Sequence, residues 1–183
     1  FCTINKLLIK LSFNSNKTGC TKCLDVCPAG AIQSVGDIVS VDPGICGGCG
    51  FCGSVCPSGA IQTDYPSLEI ILNTLSDLIN SFKRAGGKNP ALILSDKNYG
   101  NEMIGLISRH GNGLPANVIP YEMHSVGRVG HDILVSAIAL GFNKIFILLS
   151  PKNSDEYSFL PKQVELANSL LSGVAKNNQL LVE

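Results

Sequence analysis

The sequence predicts a small cysteine-rich α+β domain followed by an α/β three-layer domain with a parallel sheet. Two observations predict this division. Residues 23–33 (CLDVCPAGAIQ) and residues 52–62 (CGSVCPSGAIQ) nearly repeat each other at an offset of 29 positions. Beyond Pro66, short apolar runs of strand length alternate with segments whose apolar residues recur at helical spacing. Such alternation is typical of parallel sheets with right-handed crossovers.

The predicted boundaries divide the chain into four parts. They are an N-terminal segment at 1–17, the cysteine-rich domain at 18–65, a linking helix at 66–87 and the α/β domain at 88–183. The first part fits either a short strand or the tail of a preceding element. The chain begins with Phe1 rather than Met and stops at Glu183 just after an apolar run, so we expect a fragment of a longer chain.

The repeated cysteines have the spacing of iron–sulfur ligands. Residues 46–57 follow the pattern C-x₂-C-x₂-C-x₃-C-P, in which the last cysteine binds the other cluster of a pair. Thiolates are soft ligands that suit such clusters. The duplication therefore predicts two clusters that share ligands crosswise. One takes Cys46, Cys49, Cys52 and Cys27, and the other takes Cys20, Cys23 and Cys56.

Zinc and disulfides are the competing interpretations of these cysteines. Zinc favours two C-x-x-C pairs with a longer gap, which a repeated motif with a third cysteine and a proline fits poorly. Disulfides suit small secreted scaffolds, whereas this chain is larger and apolar outside the motifs. Cysteines concentrated in cluster motifs favour a reducing compartment, most simply the cytoplasm.

One of the two clusters lacks a fourth ligand within the repeat. Shifting Cys46 back by the repeat offset reaches Lys17, which is not a plausible cluster ligand. Cys2 lies outside the motifs and can reach, because an extended chain spans roughly 3.3 Å per residue. We expect Cys2 to complete a second [4Fe–4S] cluster. A three-cysteine [3Fe–4S] cluster and a ligand upstream of Phe1 are the open alternatives.

Charge and composition narrow the range of partners. The chain has 14 basic and 14 acidic residues, no basic block and no tryptophan, which argues against nucleic acid. The most apolar stretch, 133–149, is split by residues 141–144 (GFNK). A helix followed by a buried strand explains it better than a membrane span, which needs about 20 apolar residues.

Local patterns predict the remaining elements. In the first domain, Ile38–Val41 reads as a small strand that packs with Ala31-Ile32 and Ala60-Ile61. A helix begins after Ser67, with Lys83 and Arg84 in its last turn. Further strands are predicted at 91–94, 117–121, 144–149 and 179–182, and helices at 101–109, 132–140 and 158–176. Pro120 either weakens its strand or places it at a sheet edge.

Ligands of open α/β sheets bind beyond the carboxyl ends of the strands. Those ends carry Ser95-Asp96, residues 122–130 (EMHSVGRVG) and Ser150-Pro151. In the second loop, two glycines and Arg128 precede a helix N-terminus, where backbone N–H groups can hold an anion. A loop capped by Asp132 is the plainer interpretation. Asp96 fits either a ribose contact or a cap.

The histidines carry no metal-binding pattern. His124 and His131 lack a second cysteine or histidine motif, so ordinary loop and helix positions are expected for them. His110 ends a predicted helix, where a positive charge suits the helix dipole. Because no serine-nucleophile motif or carboxylate pair is recognisable, nothing in the sequence demands an enzyme.

Residues 18–64 resemble bacterial two-cluster [4Fe–4S] ferredoxins, which implies a ferredoxin-like dicluster domain. The sequence departs from that family at Lys17, and Cys2 is the candidate replacement. The same run also looks like the ferredoxin region of larger bacterial iron–sulfur proteins found beside formate dehydrogenase components. Those chains carry further cluster motifs upstream.

Residues 118–150, with MHSVGRVG and GFNKIFILLSP, resemble the delta subunit of methyl-viologen-reducing hydrogenase. That family's domain holds a [2Fe–2S] cluster on cysteines, one of them just before its Ser-Gly-Arg-Val segment. Here that place is His124, and no cysteine follows Cys56. The resemblance therefore implies the α/β fold and docking to oxidoreductase partners, without a third cluster.

Together these inferences predict an electron-transfer protein or subunit rather than a catalytic one. Two [4Fe–4S] clusters would relay single electrons to or from a larger oxidoreductase, such as a dehydrogenase or hydrogenase complex. Two rivals are kept. One is a catalytic oxidoreductase subunit whose C-terminal domain binds a flavin or nucleotide, and the other is an assembly factor for a metalloenzyme.

Overall fold

The computed structural model describes residues 20–173 except positions 37 and 65. Residues 1–17, which include Cys2 and Lys17, and the predicted fourth strand at 179–182 lie outside the described residues. The expectations placed on them stay predictions. Among the described residues, no helix is both long and apolar enough to cross a membrane.

The cysteine-rich domain consists of a hairpin and two single-turn helices. In chain order these are helix α1 (Lys22–Asp25), strands β1 (Ile32–Val35) and β2 (Ile38–Val41), and helix α2 (Phe51–Ser54). The strands are antiparallel, with Ile32 opposite Val41. Strand β2 confirms the prediction, but Ile32 belongs to a paired strand rather than only packing nearby. The corresponding residue of the second repeat, Ile61, is buried without forming a strand.

Helix α3 (Leu68–Arg84) follows the cysteine-rich domain, and its apolar periodicity predicted a helix here. The Ser67 hydroxyl caps it by accepting a hydrogen bond from the N–H of Ile70 at 3.3 Å. At the other end, the Lys83 ammonium donates to the carbonyl of Leu140 at 3.4 Å. The buried face of the helix is formed by Ile71, Leu75 and Ile79.

The second domain is built on a parallel three-stranded sheet. Its strands are β3 (Ala91–Asp96), β4 (Val118–Met123) and β5 (Lys144–Ile147), in the order β4-β3-β5. Strand β4 lies at an edge, where the missing N–H of Pro120 is tolerated. The predicted parallel sheet is thus present, with its proline in the position that the residue chemistry favours.

Three helices alternate with the strands. They are α4 (Tyr99–His110), α5 (His131–Leu140) and α6 (Leu160–Ser172). The connection from β3 to β4 and the connection from β4 to β5 run in opposite directions across the sheet. Because both crossovers are right-handed, α4 and α5 lie on opposite faces of the sheet. Helices α3 and α6 both contact α5. The helix predicted at 158–176 begins at Leu160, after a 3₁₀ segment over Pro151–Tyr157.

The hydrophobic core is continuous between the two domains. Phe51 and Val55 of the cysteine-rich domain belong to the same buried cluster as the apolar face of α3 and the sheet. The cluster also contains Tyr157 and Phe159, which follow β5. The cysteine-rich domain is therefore packed on the α/β domain through apolar side chains, and this packing positions the cysteines relative to the sheet.

Candidate metal centre

The two cysteine motifs fold into nearly the same turn. In the first motif the N–H of Gly30 donates to the carbonyl of Cys27 at 3.1 Å, and in the second the N–H of Gly59 donates to that of Cys56 at 3.4 Å. Gly30 and Gly59 both have positive φ, 62° and 64°, which a side chain would strain. The internal repeat of the sequence is therefore also a repeat of local backbone structure.

The charges that raise the pKa of two of the thiols come from cysteines of both motifs. Burial raises the pKa of Cys23, and the charges of Cys20 and Cys56 raise it further. Burial also raises the pKa of Cys49, and there the contributing neighbours are Cys27 and Cys46. Each motif thus places its last cysteine beside the cysteines of the other motif.

Cys52 joins the set that contains Cys49 and Cys46. Burial raises the pKa of Cys52 to about 12, and the charges of Cys49 and Cys46 add to the effect, with a smaller contribution from Cys23. The thiol form is therefore strongly favoured without metal. Because a ligating cysteine must be a thiolate, binding of a cluster at this site releases protons.

Backbone N–H groups point at the sulfur atoms of the last cysteine in each motif. The N–H of Ala31 donates to Sγ of Cys27 at 3.3 Å. Burial raises the pKa of Cys56, but hydrogen bonds from the N–H of Ile61, the hydroxyl and N–H of Ser58 and the N–H of Ala60 outweigh it, and the net shift is downward. Donors aimed at sulfur stabilise thiolates and tune cluster potentials. The donor set therefore fits an iron–sulfur cluster.

The seven described cysteines are all free thiols, and Cys20 is exposed while the other six are partly buried. Among the described residues, no group of three or more Cys, His, Asp or Glu side chains is arranged as the ligands of one metal ion. In a [4Fe–4S] cluster each cysteine binds a different iron atom, so the cluster itself spaces the ligands.

The comparison with known families bears on this arrangement. Residues 18–60 match the family model of the 4Fe-4S dicluster domain. From here on we call the cysteine-rich domain the dicluster domain. The match supports iron–sulfur cluster binding by its cysteines. No curated protein and no solved structure matches the chain. The resemblance of residues 118–150 to a hydrogenase delta subunit stays a prediction.

The second motif of the dicluster domain packs on the segment that follows β4. The Phe51 ring lies 5.6 Å from the Tyr157 ring and 5.1 Å from the Phe159 ring, measured between centroids. Gly127, in a 3₁₀ turn over Val126–Arg128, lies directly beneath Phe51, because a β-carbon there would be 1.8 Å from Cε1. The segments beyond the carboxyl ends of β4 and β5 thus contact the cysteine-bearing helix α2.

The loop proposed from sequence as an anion site is buried against the dicluster domain instead. All five residues from Val126 to Gly130 are buried. At the start of α5, the N–H of His131 donates to Oε1 of Gln163 at 3.4 Å, and the N–H of Ile133 donates to Oδ1 of Asp132 at 2.9 Å. The prediction that Asp132 caps this helix was wrong, since Gly130 is the N-cap and Asp132 lies inside the helix.

Arg128 contacts the dicluster domain from this loop. It is only 6% exposed. Its Nε donates to Oγ1 of Thr63 at 3.1 Å, and its Nη1 forms a salt bridge with Oδ2 of Asp132 at 3.1 Å. The sequence singled out Arg128 as an anion contact but missed this role, because its partner Thr63 lies 65 positions away.

The remaining candidates have ordinary structural surroundings. His131 Nδ1 lies 2.9 Å from Oε1 of Gln163, and His124 is exposed. His110 is the last residue of α4, as expected. Asp96 accepts a hydrogen bond from the N–H of Gly100 at 2.8 Å, which is the capping alternative rather than the ribose contact.

Proposed function

We propose that this protein is an iron–sulfur electron-transfer subunit that relays single electrons through two [4Fe–4S] clusters. One cluster is held by Cys27, Cys46, Cys49 and Cys52, and the other by Cys20, Cys23 and Cys56 with Cys2 as its fourth ligand. The observation that carries the proposal is the crosswise grouping of the thiols. Neither motif alone supplies either ligand set, so the grouping is a property of the paired motifs.

The protein supplies binding, orientation and electrostatics, while the cluster supplies the one-electron chemistry. Backbone N–H groups at Cys27 and Cys56 offset the negative charge that gathers on the sulfurs. Partial burial of Cys49 and Cys52 beside Phe51 limits the access of water to one cluster, whereas Cys20 is exposed. A redox partner therefore exchanges electrons most directly with the cluster that Cys20 binds.

The redox partner of this subunit is a larger oxidoreductase, in our proposal a dehydrogenase or hydrogenase complex. The resemblance of the α/β domain to a hydrogenase delta subunit supports that choice. In this arrangement the α/β domain anchors the dicluster domain through the buried contacts of Phe51 and Arg128. The proposal assigns no catalytic residue to this chain.

The test is the iron and acid-labile sulfide content of anaerobically purified protein, with EPR spectra after reduction by dithionite. Two [4Fe–4S] clusters require about eight irons per chain and two interacting signals. Cys52→Ser should remove the signal of one cluster and leave the other. Cys2→Ala should reduce the iron content to about seven and produce a [3Fe–4S] signal in the oxidised protein.

Three outcomes would contradict the proposal in different ways. About one zinc and no sulfide would exclude electron transfer. Unchanged iron and EPR in Cys2→Ala would remove Cys2 from the ligand set and leave the relay intact. A yellow chromophore that persists after cluster removal would instead favour a flavin-binding catalytic subunit.

A further inference from the structure

The two cysteine motifs differ at the positions that flank their cysteines. In the second motif Gly50 and Gly53 follow Cys49 and Cys52, whereas the first motif has Thr21 and Leu24 at the same places. These substitutions interrupt an otherwise close repeat. The structure shows which side chain occupies the space that the two glycines leave.

Arg128 fills that space. A β-carbon at Gly50 would lie 2.9 Å from Cδ and 3.1 Å from Cβ of Arg128. A β-carbon at Gly53 would lie 3.6 Å from Nε of the same side chain. The guanidinium stem is therefore in contact with the backbone that directly follows two cysteines of one predicted cluster. The corresponding backbone of the first motif carries side chains instead.

Asp132 compensates the charge of Arg128. Asp132 accepts from Nη1 at 3.1 Å and holds the N–H of Ile133 through its other oxygen. The Asp132 side chain is 26% exposed, whereas that of Arg128 is 7% exposed. Water therefore screens the anion of the pair more than the cation.

We propose that Arg128 raises the reduction potential of the cluster held by Cys27, Cys46, Cys49 and Cys52. This inference rests on the proposed two-cluster relay. One-electron reduction adds one negative charge to the cluster, and a buried cation stabilises that charge more strongly than an exposed one.

An exposed basic residue in the first motif acts differently. Lys22 is adjacent in sequence to Cys23, but its side chain is exposed. Solvent and salt screen an exposed charge, so its effect on the potential is smaller.

The experiment is a redox titration of the full chain with dithionite as reductant, followed by EPR. Arg128→Gln removes the cation and should lower the midpoint potential of one cluster. Asp132→Asn removes the compensating anion and should raise the same midpoint. Arg128→Lys keeps the charge and should remain closer to wild type than Arg128→Gln. Cys20→Ser marks the signal of the other cluster, whose midpoint should not move.

Arg84→Gln is the matched control, since Arg84 is an exposed arginine at the end of α3 that bonds to Asn80 and Ser81. It should leave both midpoints unchanged. Equal iron content in wild type and in the Arg128, Asp132 and Arg84 variants separates an electrostatic effect from cluster loss. If Arg128 and Asp132 had only a structural role, Arg128→Gln and Asp132→Asn would shift the midpoint potential in the same direction. That result would overturn the inference.

Asp132→Asn alone decides the question if Arg128→Gln does not fold. An upward shift of one midpoint supports the inference, and an unchanged midpoint contradicts it. Failure of the proposed function looks different, because wild-type protein would then lack sulfide and the two EPR signals before any variant is compared.

Discussion

The Phe51 ring packs 5.6 Å from the Tyr157 ring, and this contact joins a residue between two predicted cluster ligands to the segment that follows β5. Phe51 is 3% exposed and is part of the core that spans both domains. The orientation of Cys49 and Cys52 therefore depends on packing from a distant part of the chain. Variants at this junction, and removal of the iron itself, test that dependence.

Replacing Phe51 should loosen the junction between the domains. Phe51→Ala removes a buried ring and should lower the free energy of unfolding by about 3–5 kcal/mol, because the cavity cannot close fully. Thermal unfolding followed by circular dichroism measures the effect. Leu106→Ala is the control, since Leu106 is 43% exposed on α4 and should change stability by less than about 0.5 kcal/mol. An equal loss in both variants would contradict the assigned role of Phe51.

Gly127 should tolerate no side chain. In Gly127→Ala the new methyl group would overlap the Phe51 ring, so the ring or the 3₁₀ turn must shift, at a cost of about 1–3 kcal/mol. Gly105→Ala is the comparison, because Gly105 lies within α4 and a β-carbon added there would meet only open space. That change should stabilise the protein by about 0.5–1 kcal/mol. Denaturation curves of the two variants that coincide would argue against the close contact.

Tyr157 should make stability fall at alkaline pH. Burial raises its pKa above the ordinary value, and Asp96 raises it further. The unfolded chain loses this proton near pH ~10 while the folded chain keeps it. The stabilisation that this pKa difference gives the folded protein is therefore complete below pH ~10, and it is lost as the pH rises through the folded-state pKa of Tyr157. Midpoints of thermal unfolding should fall more steeply above that pH in wild type than in Tyr157→Phe, and parallel curves would refute the assignment.

Removal of iron should unfold the dicluster domain before the α/β domain. Helices α1 and α2 have four residues each and the hairpin has two four-residue strands, so we expect their order to depend on metal binding. After anaerobic chelation, amide hydrogen exchange should become fast in residues 20–64 while β3 stays protected. Loss of protection in both regions at the same chelator concentration would show that the domains unfold together.

Local patterns predicted the secondary structure well where a single face was apolar. The buried face of the 17-residue helix α3 is formed by Ile71, Leu75 and Ile79, which are among the residues whose spacing predicted it. The edge position of Pro120 followed from its missing N–H. The strand at Ile32 was not foreseen, because its pairing with Val41 is a relation between two segments and not a property of either.

The iron ligands could be predicted from local sequence, because the cysteine spacing and the prolines at 28 and 57 act within a few residues of each other. The surroundings of these cysteines could not be predicted, because they depend on contacts between distant segments. Phe51 on Gly127 and Arg128 on Gly50 join positions far apart in the chain. Such contacts depend on how complete elements pack, and side-chain packing across elements leaves no periodic signal in one sequence.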